Sequence, residues 1–225
     1  MTEHSALGAT PKTAEGAIKL YDEWASTYDS TLTSWGYVVP KHVSRVAKEA
    51  GLDSDSPTLD LGCGTGLSGE ALAADGFTAI SGCDISQESL DTAEKKGVYL
   101  AGGLKRANLE EALPYGDGEF KCVTCVGTLS YVHEFERLYR EIRRVSAPGG
   151  LFIFSMRTAP HGGGYDHEQA LWDRDADGCR TVAAALEKEG LWQLHHLSLP
   201  APYMPTNPNP SEAQKRIRVI AFRMC

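Results

Sequence analysis

Three glycines, Gly62, Gly64 and Gly66, stand at alternate positions in the stretch TLDLGCGTGLSGEAL, Thr58 to Leu72. A short apolar run with one acid, Asp60, precedes them. Such a turn lets a ligand come close to backbone N–H groups that side chains would otherwise shield. A second acid, Asp84, closes the run FTAISGCD, 22 residues after Gly62. That separation is near the ~20 residues expected for a carboxylate that accepts both hydroxyls of a ribose. A diphosphate-binding loop spaces its glycines G-x-G-x-x-G, the third closing a tight helix–strand contact. Here the sixth position is Leu67. The spacing therefore points to a ligand with a free ribose and without a diphosphate.

The elements that must position these residues follow from periodicity. TLDLG is a first strand and GLSGEALAADG a helix closed by Gly76. FTAISGCDIS is a second strand, and SQESLDTAEKKG a helix with Ser86 as N-cap and Gly97 as its stop. A short third strand falls near GLKRANL, and a fourth in FKCVTCVGTL. The amphipathic helix EFERLYREIRRVSAPGG is expected to end at Pro148-Gly149-Gly150. LFIFSMR has the continuous apolar character of a strand buried on both faces. A helix at TVAAALEKEG, a strand at LWQLHHLSL and a final strand at RIRVIAFRM complete the chain. Alternating β and α predicts an α/β fold, a doubly wound, seven-stranded, mostly parallel sheet. Ligands of such sheets bind beyond the C-terminal strand ends, at the switch of strand order. The expected organisation is a flexible N-terminus at 1–16, an N-terminal helical cap or lid at 17–50 and a Rossmann-like domain at 51–225. PAPYMPTNPNP is the one Pro-rich, low-complexity stretch.

Composition removes several function classes. A formal charge of −8 over 225 residues opposes an electrostatic grip on nucleic acid. The basic stretch Lys215-Arg216-Ile217-Arg218 alternates with apolar residues like a strand rim. No apolar run nears the ~20 residues of a membrane span, and the N-terminal stretch lacks the pattern of a signal peptide. A cytoplasmic protein with reduced thiols is expected, a monomer or weak dimer. Cys122 and Cys125 form C-x-x-C, which has a metal or redox reading. With no second ligand pair nearby, a buried strand accounts for them better, and no metal is expected.

Several ordered motifs together carry a resemblance. LDLGCGTG followed by GCDIS is similar to the first motif and acidic partner of class I S-adenosylmethionine-dependent methyltransferases. The likeness continues through ANLEEALPYGDGEFKCVTCVGTLSYV and EIRRVSAPGGLFIFSMRT. Within that superfamily, YDEWASTYD, MRT and LEKEGLW most resemble the Williams–Beuren-region methyltransferase-like proteins. The resemblance implies an enzyme that uses S-adenosylmethionine and methylates an O, N or S of a small molecule by in-line displacement. A binding protein without catalysis, regulatory or scaffolding, is the alternative.

The resemblance also implies roles. Gly62, Gly64 and the backbone at Cys63 would meet the aminoacyl end of the cofactor. Asp60 would anchor that loop, either reaching the cofactor's ammonium through water or capping N–H groups of the turn. Asp84 would take the ribose hydroxyls and Ile85 would pack on the adenine. Asn108 stands where relatives often carry Asp, and its amide oxygen keeps an acceptor for the exocyclic amine. Leu109 would offer its N–H to the ring, and Gly127 and Thr128 would border the reactive methyl.

Tyr21, Trp24 and Tyr28 recur at three and four residues, on one helical face. They are either a core stripe or a lid whose aromatic faces attract a sulfonium cation. No catalytic base is identifiable. Tyr131, His133, His161, Tyr165 and His167 are candidates near the mouth, each also readable as a loop residue. Arg157 could bind a substrate carboxylate or form a surface ion pair. After the fourth strand the chain reads VGTLSY rather than the Asn/Asp-Pro-Pro-Tyr type of base and glutamine-amide methylating enzymes. A small-molecule acceptor is therefore expected.

Overall fold

The computed structural model describes residues 13–158 and 179–225. The order of elements is α1 (Ala14–Ser34), α2 (Val39–Glu49), β1 (Thr58–Leu61), α3 (Leu67–Ala74), β2 (Ile80–Asp84) and α4 (Gln87–Lys95). There follow β3 (Leu104–Arg106), β4 (Phe120–Cys125), a 3-10 turn (Leu129–Tyr131), α5 (Phe135–Val145) and β5 (Ser146–Thr158). The described chain ends with α6 (Cys179–Lys188), β6 (Trp192–Leu197), β7 (Ala201–Pro202), α7 (Pro210–Ala213) and β8 (Arg216–Met224).

The sheet runs β3-β2-β1-β4-β5-β8-β6, with β7 paired to β8 alone. Strands β3, β2, β1, β4 and β5 are mutually parallel. β8 is antiparallel to both β5 and β6. The described sheet has eight strands rather than seven, because Ala201–Pro202 of the Pro-rich stretch adds a short one. That stretch also sends Tyr203 and Met204 into the core. Strand order reverses between β1 and β4, so the crevice opens between the loops that leave Leu61 and Cys125.

Local signals act where the sequence places them. Ser86 Oγ accepts the N–H of Ser89 at 3.1 Å and starts α4. Gly76 and Gly97 sit at φ +101° and +65° just past α3 and α4, the left-handed conformation that a side chain resists. α5 stops at Val145 instead of Pro148-Gly149-Gly150, which lie inside β5. A register shift between Phe120 and Cys122 on β4 absorbs the irregular start of that strand. All four residues of β1 are buried, as a central parallel strand requires. Under α5 and α6, Phe152, Phe154, Trp192 and Phe222 stack with centroids 4.8 to 6.2 Å apart. Each such ring stabilises the fold by about 1.5–3 kcal/mol through burial. Cys122 and Cys125 lie fully buried in β4, and burial pushes the Cys122 thiol up to about 12. Among the described residues no group of three or more His, Cys, Asp or Glu is placed to hold a metal.

Candidate functional site

The glycine loop folds on its own side chains as much as around open space. A Cβ on Gly62, at φ +64°, would stand 2.4 Å from the methyl of Thr128. Thr128 Oγ1 in turn donates to the Gly62 carbonyl at 3.1 Å, so this glycine ties the β1 and β4 loops together. A Cβ on Gly66 would meet Ala93, Lys96 and Tyr99 at 3.1 to 3.2 Å. Only at Gly64, φ +53°, does the added atom find nothing within 4 Å, and Gly64 lines the cavity. Open space thus lies over the middle glycine, where a side chain would otherwise stand.

Asp84, at the C-terminal end of β2, faces this loop. Its Oδ2 accepts the Gly64 N–H at 2.8 Å and its Oδ1 the Ser86 N–H at 2.9 Å. Burial raises the Asp84 pKa, and those two N–H donors with that of Ile85 pull it back. The carboxylate holds the loop and keeps lone pairs for hydroxyl donors.

Two adjoining cavities meet at Gly62, Asp84, Ile85, Thr128 and Tyr131. One, of about 630 Å³, is lined further by Asn108, Leu109, Val132 and His133. The Asn108 Oδ1 accepts the Glu110 N–H at 3.0 Å, so one of its two lone pairs is engaged within its own turn. Glu110 accepts from both the backbone N–H of His133 at 2.7 Å and its Nδ1 at 3.1 Å, closing the rim. The other cavity, of about 780 Å³, reaches Tyr21, Tyr28, Tyr37, Val126 and Gly127.

Over both lies α1. It starts at Ala14, capped by Thr13, and has 21 residues, so helix begins three residues before the expected cap at 17–50. The aromatic stripe divides. Tyr21 and Tyr28 line the cavity, and Tyr21 donates to the Tyr131 hydroxyl at 2.8 Å. Trp24 does not line it. The indole is 1% exposed and packs with Leu32, Val39, Tyr203, Met204 and Ile217, outside both cavities. Two carboxylates beside the tyrosines were not singled out from sequence. Asp22 accepts from Ser86 Oγ, and Asp29 from Thr65 Oγ1 and from Lys96 at 2.6 Å. The doublet Tyr-Asp occurs twice at a spacing of seven in YDEWASTYD, which was the available signal.

Asp60 stands beneath the site and lines neither cavity. Neither of its oxygens caps the turn. Oδ2 accepts from Tyr99 at 3.0 Å and Oδ1 from Thr124 at 3.1 Å, with no exposed surface. Burial drives its pKa from 3.8 up to about 7, only partly opposed by the two hydroxyls. Between those values the folded protein holds a proton that the unfolded chain releases, so this group's contribution to stability falls as pH rises from about 4 to about 7. Asp60→Asn lacks that component. Urea unfolding at pH 5, 6, 7 and 8 should show the variant gaining on the parent up to about pH 7 and level thereafter. A gap that is constant with pH would refute it.

Arg157 is half-buried on β5 and lines neither cavity, and its charge opposes the rise that burial gives Tyr37 and Tyr203. His161, Tyr165 and His167 lie outside the described residues.

Comparison with known proteins adds to this geometry. A family model described as "Methyltransferase domain" matches residues 59–154. The chain is 30% identical over 178 residues to methyltransferase-like protein 27 of Homo sapiens, covering 78% of this chain and 68% of that protein. It is 30% identical over 161 residues to the ubiquinone biosynthesis O-methyltransferase of Bordetella pertussis, 68% of this chain and 65% of that one. The chain thus spans about two thirds of the length of these relatives. Among solved structures, the [4+2]-cyclase SpnF superposes with a TM-score of 0.68 over 94% of this chain and 97% of that chain. At 16% identity that likeness concerns the fold alone.

Proposed function

The chain belongs to the S-adenosylmethionine-dependent methyltransferase family, and from that membership we propose that it methylates a small molecule inside the cavity beneath α1. One observation carries the reading: open space at Gly64, the carboxylate of Asp84 and a phenol-lined chamber lie along two adjoining cavities. The residues fit the cofactor. Gly62, Cys63 and Gly64 would hold its aminoacyl end, Asp84 its ribose, and Ile85, Asn108 and Leu109 its adenine. When bound, S-adenosylmethionine supplies a methyl group on a sulfonium, and the carbon–sulfur electron pair returns to sulfur on transfer.

The chain's own residues then orient and dehydrate rather than make bonds. Gly127 and Thr128 would border the methyl, and Tyr21, Tyr28 and Tyr131 would present aromatic faces to the sulfonium. Burial raises the Tyr21 and Tyr28 pKa values, so both stay neutral donors. We assign α1 the part of a lid (17–50 as a cap, 51–225 as the methyltransferase domain), with Trp24 as the residue that seats it. The chamber suits a small metabolite better than nucleic acid, in keeping with the charge of −8. The naming of one relative as an O-methyltransferase of ubiquinone biosynthesis supports a small acceptor. No helix among the described residues is long and apolar enough to cross a membrane. A cytoplasmic monomer or weak dimer is the accompanying reading.

Calorimetry tests the cofactor assignment. S-adenosylmethionine and S-adenosylhomocysteine should bind with one site each, and NAD should give no heat. Binding of NAD alone would reverse the reading.

A further inference from the structure

The inner wall of the larger cavity is rich in hydrogen-bond donors. Tyr28 and Tyr37 line it with partly buried phenols, and Tyr203 lies buried behind Tyr37. Tyr37 and Tyr203 meet edge to face with centroids 5.5 Å apart. A Cβ on Gly127 would stand 3.3 Å from the Tyr37 oxygen, so this phenol reaches the end of β4. Burial raises all three phenols, and Tyr203 to about 12, which keeps them protonated.

Arg157 lies behind this wall and lines neither cavity. It follows Ser155 by two residues on β5, on the same face of the sheet. Ser155 Oγ accepts the Gly127 N–H at 2.9 Å, which fixes that face against the β4 loop. Across the sheet Arg157 pairs with Ile217, which packs with Tyr203. The guanidinium lowers the pKa of both Tyr37 and Tyr203 against the rise from burial, so its field reaches the two phenols. Among the described residues it has no carboxylate partner. Asp84 is the one charged side chain among the described residues lining this cavity, and it stands three strands from β5. Three strand spacings are about 14 Å.

We propose that this chamber selects methyl acceptors that carry a carboxylate, taken up at its Tyr37 end, where Tyr203 and the Arg157 guanidinium stand behind the lining. The proposal rests on the methyl-transfer reading and names its acceptor class. A half-buried guanidinium with two neutral O–H donors and, among the described residues, no anion of its own is complementary to a planar oxyanion. An ester or amide of the same shape would leave the cation without a counter-charge. Tyr37, beside Gly127, would place the acceptor's far end toward the methyl.

The test uses the full chain loaded with S-adenosylhomocysteine and matched probes: benzoate with methyl benzoate, and hexanoate with methyl hexanoate. Titration followed by NMR should show each acid binding at least about tenfold more tightly than its ester, the effect of one charge-assisted hydrogen bond. Arg157→Gln should bring the ratio close to one and leave S-adenosylhomocysteine affinity unchanged. Arg157→Lys, which keeps the charge and removes the planar fork, should retain part of the preference and reads the same contrast if the Gln variant does not fold. Equal binding of acid and ester by the parent protein overturns the proposal. So does a preference that persists in Arg157→Gln. If Arg157→Gln weakens S-adenosylhomocysteine but not 5′-methylthioadenosine, the guanidinium serves the cofactor's own carboxylate and the proposal is also overturned. Failure of the methyl-transfer reading looks different, as no S-adenosylhomocysteine binding by the parent protein, and takes the proposal with it.

Discussion

Asp84→Ala should weaken S-adenosylhomocysteine binding by at least about tenfold, and by about a hundredfold if both ribose hydroxyls are lost as partners. A hydrogen bond to a charged group contributes about 1.5–3 kcal/mol, and 1.4 kcal/mol is about a factor of ten. The carboxylate has a second task, since it accepts the N–H groups of Gly64 and Ser86. Removing it frees the middle glycine as well as the ribose subsite, so enthalpy and affinity should fall together. Asp84→Asn separates the two tasks. Its amide oxygen can still accept from one N–H while the charge is gone. The Asn variant should melt close to the parent and bind with intermediate affinity. Calorimetry at pH 7.5, with circular dichroism as a check on folding, decides it. An unchanged dissociation constant in the Ala variant would place the ribose elsewhere.

The second large effect is on stability. Trp24→Ala should cost about 3–5 kcal/mol, the range for removing a large aromatic side chain from a packed core. The indole is 1% exposed, between α1, α2 and the Tyr203–Met204 segment. Tyr21→Phe removes one hydroxyl contact to Tyr131 and should cost no more than about 1.5 kcal/mol. Chemical denaturation compares the two. A Trp24→Ala protein within 1 kcal/mol of the parent, about the worth of one ordinary hydrogen bond, would show that α1 is not integrated into the core. Amide exchange across residues 15–40, with and without S-adenosylhomocysteine, then reports how far the bound ligand adds to that seating.

Much of the architecture was legible because backbone requirements leave marks in single residues. Gly76, Gly97 and Ser86 announce helix ends, and the buried runs at β1 and β5 announce central strands. The spacing from Gly62 to Asp84 is legible for the same reason, since one helical crossover fixes it. What stayed hidden depends on partners distant in sequence. Nothing near Asp60 says that its oxygens go to Tyr99 and Thr124, 39 and 64 residues away. Helical periodicity put Tyr21, Trp24 and Tyr28 on one face but could not tell a cavity from a core a few ångströms to the side. The insertion of β8 between β5 and β6 is a matter of strand order, which hydrophobic pattern does not encode. Tyr37 and Tyr203 sit in a helix connection and a Pro-rich stretch, where no periodicity marks them.

Tyr99 fills a space that two glycines vacate. A Cβ on Gly69 would stand 2.5 Å from its ring and hydroxyl, and one on Gly82 2.9 Å from its ring. These three positions form a lock on the order in which substitutions can accumulate. Alanine at Gly69 would suit a helix interior by about 1 kcal/mol, yet it is barred while the ring is present. The ring cannot shrink without removing a donor from buried Asp60. A lineage leaving this arrangement therefore has to change Asp60 first, then Tyr99, and only then the glycines. The same alanine is deleterious early on that path and beneficial late.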